Sequence, residues 1–146
     1  MPTVHELLAS KGSPKVHTIS PGATVLDAVE AMNSRKIGAL LVTEEGRVAG
    51  IFTERDVLQR VIGEMRRPSA TPVSEVMSAK VVCVGPDTDL DEVSILMKDR
   101  HIRHVPVCDS DGNLIGMISI GDVNAVHASH RDAALNYLND YVYGRV

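Results

Sequence analysis

An internal repeat constrains this chain more than any other feature. Val16 to Val57 lies over Val81 to Val123 with a shift of 65 positions, which becomes 66 past Gly46 and Gly112. Ten positions coincide in that overlay: Val16, Pro21, Met32, Arg35, Ile37, Val42, Gly46, Gly50, Asp56 and Val57 match their partners. A period of this size exceeds that of a solenoid and marks two copies of one small αβ unit. Two copies imply packing about a pseudo-twofold axis with a cleft between them, and function is sought in that cleft.

Each copy runs in the same order. Val16–Ile19 and Val81–Val84 are short runs rich in β-branched residues, closed by Ser20-Pro21-Gly22 and Gly85-Pro86-Asp87, so they read as strands ending in turns. Val25, Ala28, Val29, Met32 and Leu90, Val93, Leu96, Met97 then recur at helical spacing. Thr24 with Asp27, and Asp89 with Glu92, suit helix starts, where a capping side chain and an acid three residues on satisfy orphan amides. Two apolar strands follow, joined through Glu44-Glu45-Gly46 or Asp109–Gly112 as a hairpin. A second helix leaves each hairpin, from Glu54 and from Ile120. Upstream, Val4–Leu8 matches Val73–Met77 as a short helix before each copy, and Gly12–Lys15 is an extra surface loop in the first. The expected class is α/β (α+β), two β-α-β-β-α repeats packed with pseudo-twofold symmetry. Repeat one occupies residues 1–67; repeat two occupies 68–146 and ends in a long helix running to about Tyr143, with Leu135, Leu138 and Val142 as its apolar stripe.

Charge and composition remove several function classes. The net charge of -4 argues against a nucleic-acid partner, and one Phe, three Tyr and no Trp leave little to stack on bases. No apolar run approaches the ~20 residues of a membrane span. The N-terminus lacks the basic and apolar regions of an export signal. Two cysteines without a CxxC fit a reducing cytoplasm. The six histidines show no HExxH and no Cys pair beside them, so His101 and His104 are read as polar or phosphate-facing rather than as metal ligands.

Thr53-Glu54-Arg55-Asp56 and Ser119-Ile120-Gly121-Asp122 each fall where a strand hands over to a helix. One reading is purely structural: a capping box, hydroxyl to the third amide and acid back to the cap. The other uses the same place for a ligand. A helix start offers free amides and a positive dipole end to phosphate, the hydroxyl can donate to a phosphate oxygen, and the carboxylate can accept both hydroxyls of a ribose.

The repeated order, with hydrophobic-Gly-hydrophobic-hydrophobic-Ser/Thr-x-x-Asp closing each copy at Gly50–Asp56 and Gly116–Asp122, resembles the CBS domain, named after cystathionine β-synthase. Arg100–Val107 fits the same pattern, and the likeness covers roughly Thr3 to Ala128. The resemblance implies a stand-alone CBS pair, or Bateman module, that forms homodimers and binds an adenine nucleotide: AMP foremost, with ATP, ADP, NAD(H) or S-adenosylmethionine as further members of the class. It favours the ligand role for Thr53, Asp56, Ser119 and Asp122. It places Ile37, Gly38 and Ala39 in one adenine slot and Ile102, Arg103, His104, Val105 and Pro106 in the other, with Thr18 and Cys83 at their edges. Arg55 faces Gly121 in the overlay, and Gly38-Ala39 faces Arg103-His104, so the two sites are expected to differ, with Arg55 and Arg103 available to phosphates. No nucleophile with a base, Walker loop or carboxylate dyad points to an enzyme. The expected function is a regulatory nucleotide sensor acting on an unknown protein partner; the alternative is a ligand-independent interaction protein whose motifs only cap helices.

Overall fold

A computed structural model describes residues 2–11, 16–129 and 131. Helix α1 (Val4–Ser10) precedes the first unit: strand β1 (Thr18–Ile19), helix α2 (Val25–Arg35), strands β2 (Ala39–Glu44) and β3 (Arg47–Thr53), and helix α3 (Glu54–Asp56). The chain then winds as a π-helix over Val57–Ile62. Helix α4 (Val73–Val76) precedes the second unit, α5 (Leu90–Arg100), β4 (His104–Cys108), β5 (Leu114–Ser119) and a helix α6 over 120–129. The result is the expected mixed α/β pair, with sheet orders β1-β2-β3 and β4-β5. The rest of the expected terminal helix, with Leu135, Leu138 and Val142, lies outside the described residues, as does the loop at Gly12–Lys15.

The opening strands are shorter than the β-branched runs suggest, and in the second unit no strand forms there. One residue accounts for the difference. In the first unit β1 runs parallel to β2, and the Leu41 amide donates to the His17 carbonyl at 3.3 Å. The overlay puts Pro106 at the place of Leu41, and proline has no N–H to give to Val82. The ladder shrinks to a single bridge between Val84 and Val107.

Helix starts follow the capping logic in part. Thr24 and Asp27 form a reciprocal capping box, whereas Asp89 caps the nearer amide of Asp91 at 2.8 Å. Lys36 and His101 close α2 and α5 in the left-handed region, at equivalent positions of the two copies. Glu45 and Gly46 both have positive φ, the geometry of a two-residue hairpin turn.

The cores show how the two copies hold each other. Val25, Ala28, Met32, Leu40, Phe52 and Val61 of the first unit are packed with Val73 and Val76 of α4. Leu90, Val93, Met97, Val105, Ile118 and Val123 of the second are packed with Val4 and Leu7 of α1. Each short helix seats beside the long helix of a unit through paired backbone bonds: Val25 N to Thr71 O and Val73 N to Ala23 O, mirrored by Leu90 N to Pro2 O and Val4 N to Thr88 O. Glycine opens the space they need, since Gly50 lies against Met77 and Ser78 and Gly116 against Leu8. The hairpins also meet, through an Arg47–Asn113 bridge and an Arg47 guanidinium bond to the Asp111 carbonyl at 2.7 Å.

Candidate ligand site between the two repeats

The larger cavity, about 360 Å³, opens where the first unit's β1–β2 region faces the second unit's hairpin and α6. The first unit supplies Val16, His17, Ile37, Gly38 and Ala39; the second supplies His104, Met117, Ser119 and Asp122; Lys11 closes it from the end of α1. The lining includes the apolar residues Val16, Ile37, Ala39 and Met117, which suit a flat aromatic ring, together with the polar residues Ser119, Asp122 and Lys11. Such a volume lies at the small end of the range for small-molecule sites.

Ser119 and Asp122 stand at the start of α6. The Ser119 amide donates to Asp122 Oδ2 at 2.9 Å, and the Asp122 amide donates to Ser119 Oγ at 3.1 Å. Lys11 Nζ donates to the same Oδ2 at 2.8 Å. Burial pushes the Asp122 carboxyl up, but the bonds from Lys11 and from the Ser119 amide outweigh it and hold the group below the ordinary carboxylate range. Its side chain keeps 22% exposure and lines the cavity.

The matching pair of the first unit is built differently. Asp56 accepts from the Thr53 amide at 3.0 Å and from the Thr53 hydroxyl at 3.2 Å, and Arg60 approaches its other oxygen at 3.7 Å. Only 10% of the Asp56 side chain is exposed. Arg60 also grips the Val76 and Met77 carbonyls, at 3.2 and 3.1 Å. The overlay puts Val126 at the place of Arg60, so α6 has no cation of its own for Asp122, which is left facing the cavity and Lys11.

A smaller cavity of about 160 Å³ lies in the second slot, lined by Ile51, Lys80, Val81, Val82, Arg100, Ile102 and His104. His104 lines both spaces. Of the residues singled out from the sequence, Ile37, Gly38, Ala39, His104, Ser119 and Asp122 meet in the larger cavity, and Ile102 joins His104 in the smaller. Thr53 and Asp56 line neither. Thr18, Arg55, Cys83, Arg103 and Gly121 are exposed and line neither cavity, while Val105 and Pro106 are buried in β4.

Sequence reasoning passed over Lys11 and Lys80. Both follow their short helix at the same step, seven residues after Val4 and Val73, so extending the overlay upstream would have found them. His17, held by Arg35, and Met117 carried no such signal. Among the described residues, no group of three or more His, Cys, Asp or Glu is placed to hold a metal. Cys83 and Cys108 do approach each other: burial and the Cys83 thiol push Cys108 up to about 12, which leaves it a poor nucleophile at neutral pH.

His104 and Asp122 make stability depend on acidity in the same direction. Burial, reinforced by Arg103 and opposed by Asp122 and Glu54, holds the His104 imidazole below its ordinary value. As pH falls below about 6.5 the unfolded chain takes up this proton first, so stability is lost from there down to the folded pKa. The lowered Asp122 contributes stability that is complete above the unfolded value of about 3.9 and disappears as pH falls through its folded pKa. The melting temperature is expected to drop on acidification from pH 7 to 5, and to drop less in His104→Gln. An identical slope in the variant would show that His104 is not the source.

A protein-family model, "CBS domain", matches residues 8–63 and again 73–127. A CBS domain-containing protein of Arabidopsis thaliana, the mitochondrial CBSX3, is 38% identical over 97% of this chain and 72% of its own. The crystal structure of the CBS-domain containing protein ATU1752 from Agrobacterium tumefaciens superposes with a TM-score of 0.79 at 37% identity, covering 86% of this chain and 99% of that one. The cytosolic domain of the Mg2+ channel MgtE, solved in complex with ATP, superposes with a TM-score of 0.65 at 32% identity over 77% of this chain and 45% of that one.

Proposed function

The chain belongs to the CBS-domain family, and we propose that it is a regulatory module, not an enzyme, that binds one adenine nucleotide per chain in the larger cavity. AMP is the assigned ligand, with ATP and NAD(H) as larger members of the same class. The observation that carries this reading is the inequality of the two Ser/Thr-x-x-Asp pairs. Ser119 and Asp122 line an open cavity, whereas Thr53 and Asp56 are closed on each other and on Arg60. A ribose would meet a cavity-lining carboxylate at the first, there shared with Lys11, and none at the second. The base would lie against Val16, Ile37, Ala39 and Met117, and the backbone at Gly38 and Ala39 would read its edge. The ATP complex of the MgtE domain supports the ligand class. Both pairs cap their helices; the capping-only alternative is kept for the first repeat, whose pair lines neither cavity.

The module would signal as a homodimer to a regulated protein, which requires unequal ligand affinity for two states of the assembly. Leu58 (67% exposed), Ile62 (57%) and Met65 (92%) form an apolar stripe along the π-helical segment and just past it, suited to a second copy. Two free thiols suit a reducing compartment such as the cytoplasm. Among the described residues no helix is long and apolar enough to cross a membrane.

Native mass spectrometry during titration with AMP tests the reading. The expected species is two chains with two AMP, and melting is expected to rise by the equivalent of about 2.7 kcal/mol at a hundredfold excess over Kd. Absence of any adduct or shift with AMP, ATP and NADH at millimolar concentration rejects the nucleotide assignment. A monomer mass rejects the dimer.

A further inference from the structure

Lys11 occupies the carboxylate that the ligand needs. Its ammonium sits 2.8 Å from Asp122 Oδ2 and 3.4 Å from the Met117 carbonyl, so the acid at the mouth of the larger cavity is already neutralised by the chain itself. We infer that Lys11 is a selectivity latch: it yields Asp122 only to a ligand that brings its own anion, so the cavity takes phosphorylated nucleosides and rejects neutral ones. The inference rests on the nucleotide reading of this cavity and adds the ligand's charge class to it.

The argument is an exchange of partners. A ribose diol that grips both oxygens of Asp122 meets Oδ2 already accepting from Lys11 and the Ser119 amide, so its hydroxyl there competes with the Lys11 bond. After displacement by a neutral nucleoside, Lys11 has lost its carboxylate and gained nothing. With a nucleotide the same ammonium swings from carboxylate to phosphate, and one charge-assisted bond replaces another. Lys11 hangs from the C-terminal end of α1, which is anchored by Val4 and Leu7 in the second unit's core, while its own side chain keeps 28% exposure. It is therefore tethered at the cavity yet free to turn. The first unit lacks this device: Asp56 is held by Arg60, which is pinned by two carbonyls, and Lys80, at the place of Lys11, has no ion pair among the described residues.

The test is isothermal titration of the full chain with AMP and with adenosine, for the natural protein, Lys11→Met and Lys11→Arg. Lys11→Met keeps the aliphatic stem and removes one exposed pair, so the fold is retained. In the natural protein AMP is expected to bind at least about tenfold more tightly than adenosine, the weight of one charge-assisted hydrogen bond. Lys11→Met is expected to shrink that ratio about tenfold, chiefly by strengthening adenosine, and Lys11→Arg to restore it. A ratio that shrinks by less than about threefold in Lys11→Met overturns the latch while leaving the nucleotide site standing. Equal binding of AMP and adenosine by the natural protein does the same. Failure of both ligands to bind the natural protein overturns the latch and the nucleotide reading together.

Discussion

Asp122→Asn abolishes the AMP-induced rise in melting temperature, whereas Asp56→Asn leaves that rise in place and lowers the melting temperature of the unliganded protein. This is the expected result of unequal architecture at two positions the overlay makes equivalent. At Asp122 the amide replacement keeps one oxygen for the Ser119 N–H, so the cap survives. It removes the charge and the second acceptor that a ribose diol requires. Two bonds to a charged group contribute about 1.5–3 kcal/mol each, so affinity should fall at least a hundredfold. The unliganded protein changes little, because a partly exposed pair such as Lys11–Asp122 is worth about 0–1 kcal/mol. At Asp56 the balance is reversed. Its carboxylate is nearly buried and serves the Thr53 amide, the Thr53 hydroxyl and Arg60. Loss of the second oxygen's charge weakens a helix cap worth about 0.5–2 kcal/mol, a drop of several degrees in a chain of this size. Thermal melts of both variants with and without AMP decide the matter. An AMP response that survives Asp122→Asn would mean the ribose is not held there.

Much of this was legible in the sequence, and the places where it was not have physical causes. The repeat read directly as two units, because duplicated periodicity leaves a duplicated core. The hairpins, α2 and α5 followed from turn residues and helical spacing. The second opening strand did not, since its loss depends on a donor missing from a different segment, Pro106, and pairing partners are invisible to a local β-branched run. Six of the ten residues that line the larger cavity were among those singled out; Lys11, Val16, His17 and Met117 were not. The closure of Thr53 and Asp56 was not visible, because both motifs satisfy the same rule. What separates them is Arg60 against Val126, one turn beyond the motif. Lys11 was missed for a related reason: it lies outside the repeated unit proper and reaches Asp122 only because α1 packs into the second unit's core.

That crossed packing leaves no room for one added methyl group at Gly50. A Cβ at Gly50 would lie 2.6 Å from Met77 Sδ and 2.8 Å from the Ser78 carbonyl. The thioether can rotate away. The carbonyl cannot, because Ser78 and Ile51 exchange two backbone bonds, each 2.9 Å, that fix the strand to the segment after α4. Gly50→Ala must therefore break that bridge or bend β3, and overpacking of this kind costs about 1–3 kcal/mol. The equivalent Gly116 meets only the tip of Leu8, at 2.8 Å. A leucine end can change rotamer, so Gly116→Ala should cost about 1 kcal/mol or less. At 2–4 °C per kcal/mol, Gly50→Ala should melt roughly 2–12 °C lower than the natural protein, and Gly116→Ala within about 4 °C of it. Met77→Ala placed with Gly50→Ala should not rescue stability, because the blocking atom is the Ser78 oxygen. If Gly116→Ala proved the more damaging of the two, side-chain crowding rather than the fixed backbone would be what limits the join. Ile51 follows Gly50 directly and lines the smaller cavity. The same substitution should therefore disturb that cavity, while the Asp122 cavity, whose neighbouring glycine has a yielding partner, keeps its response to AMP.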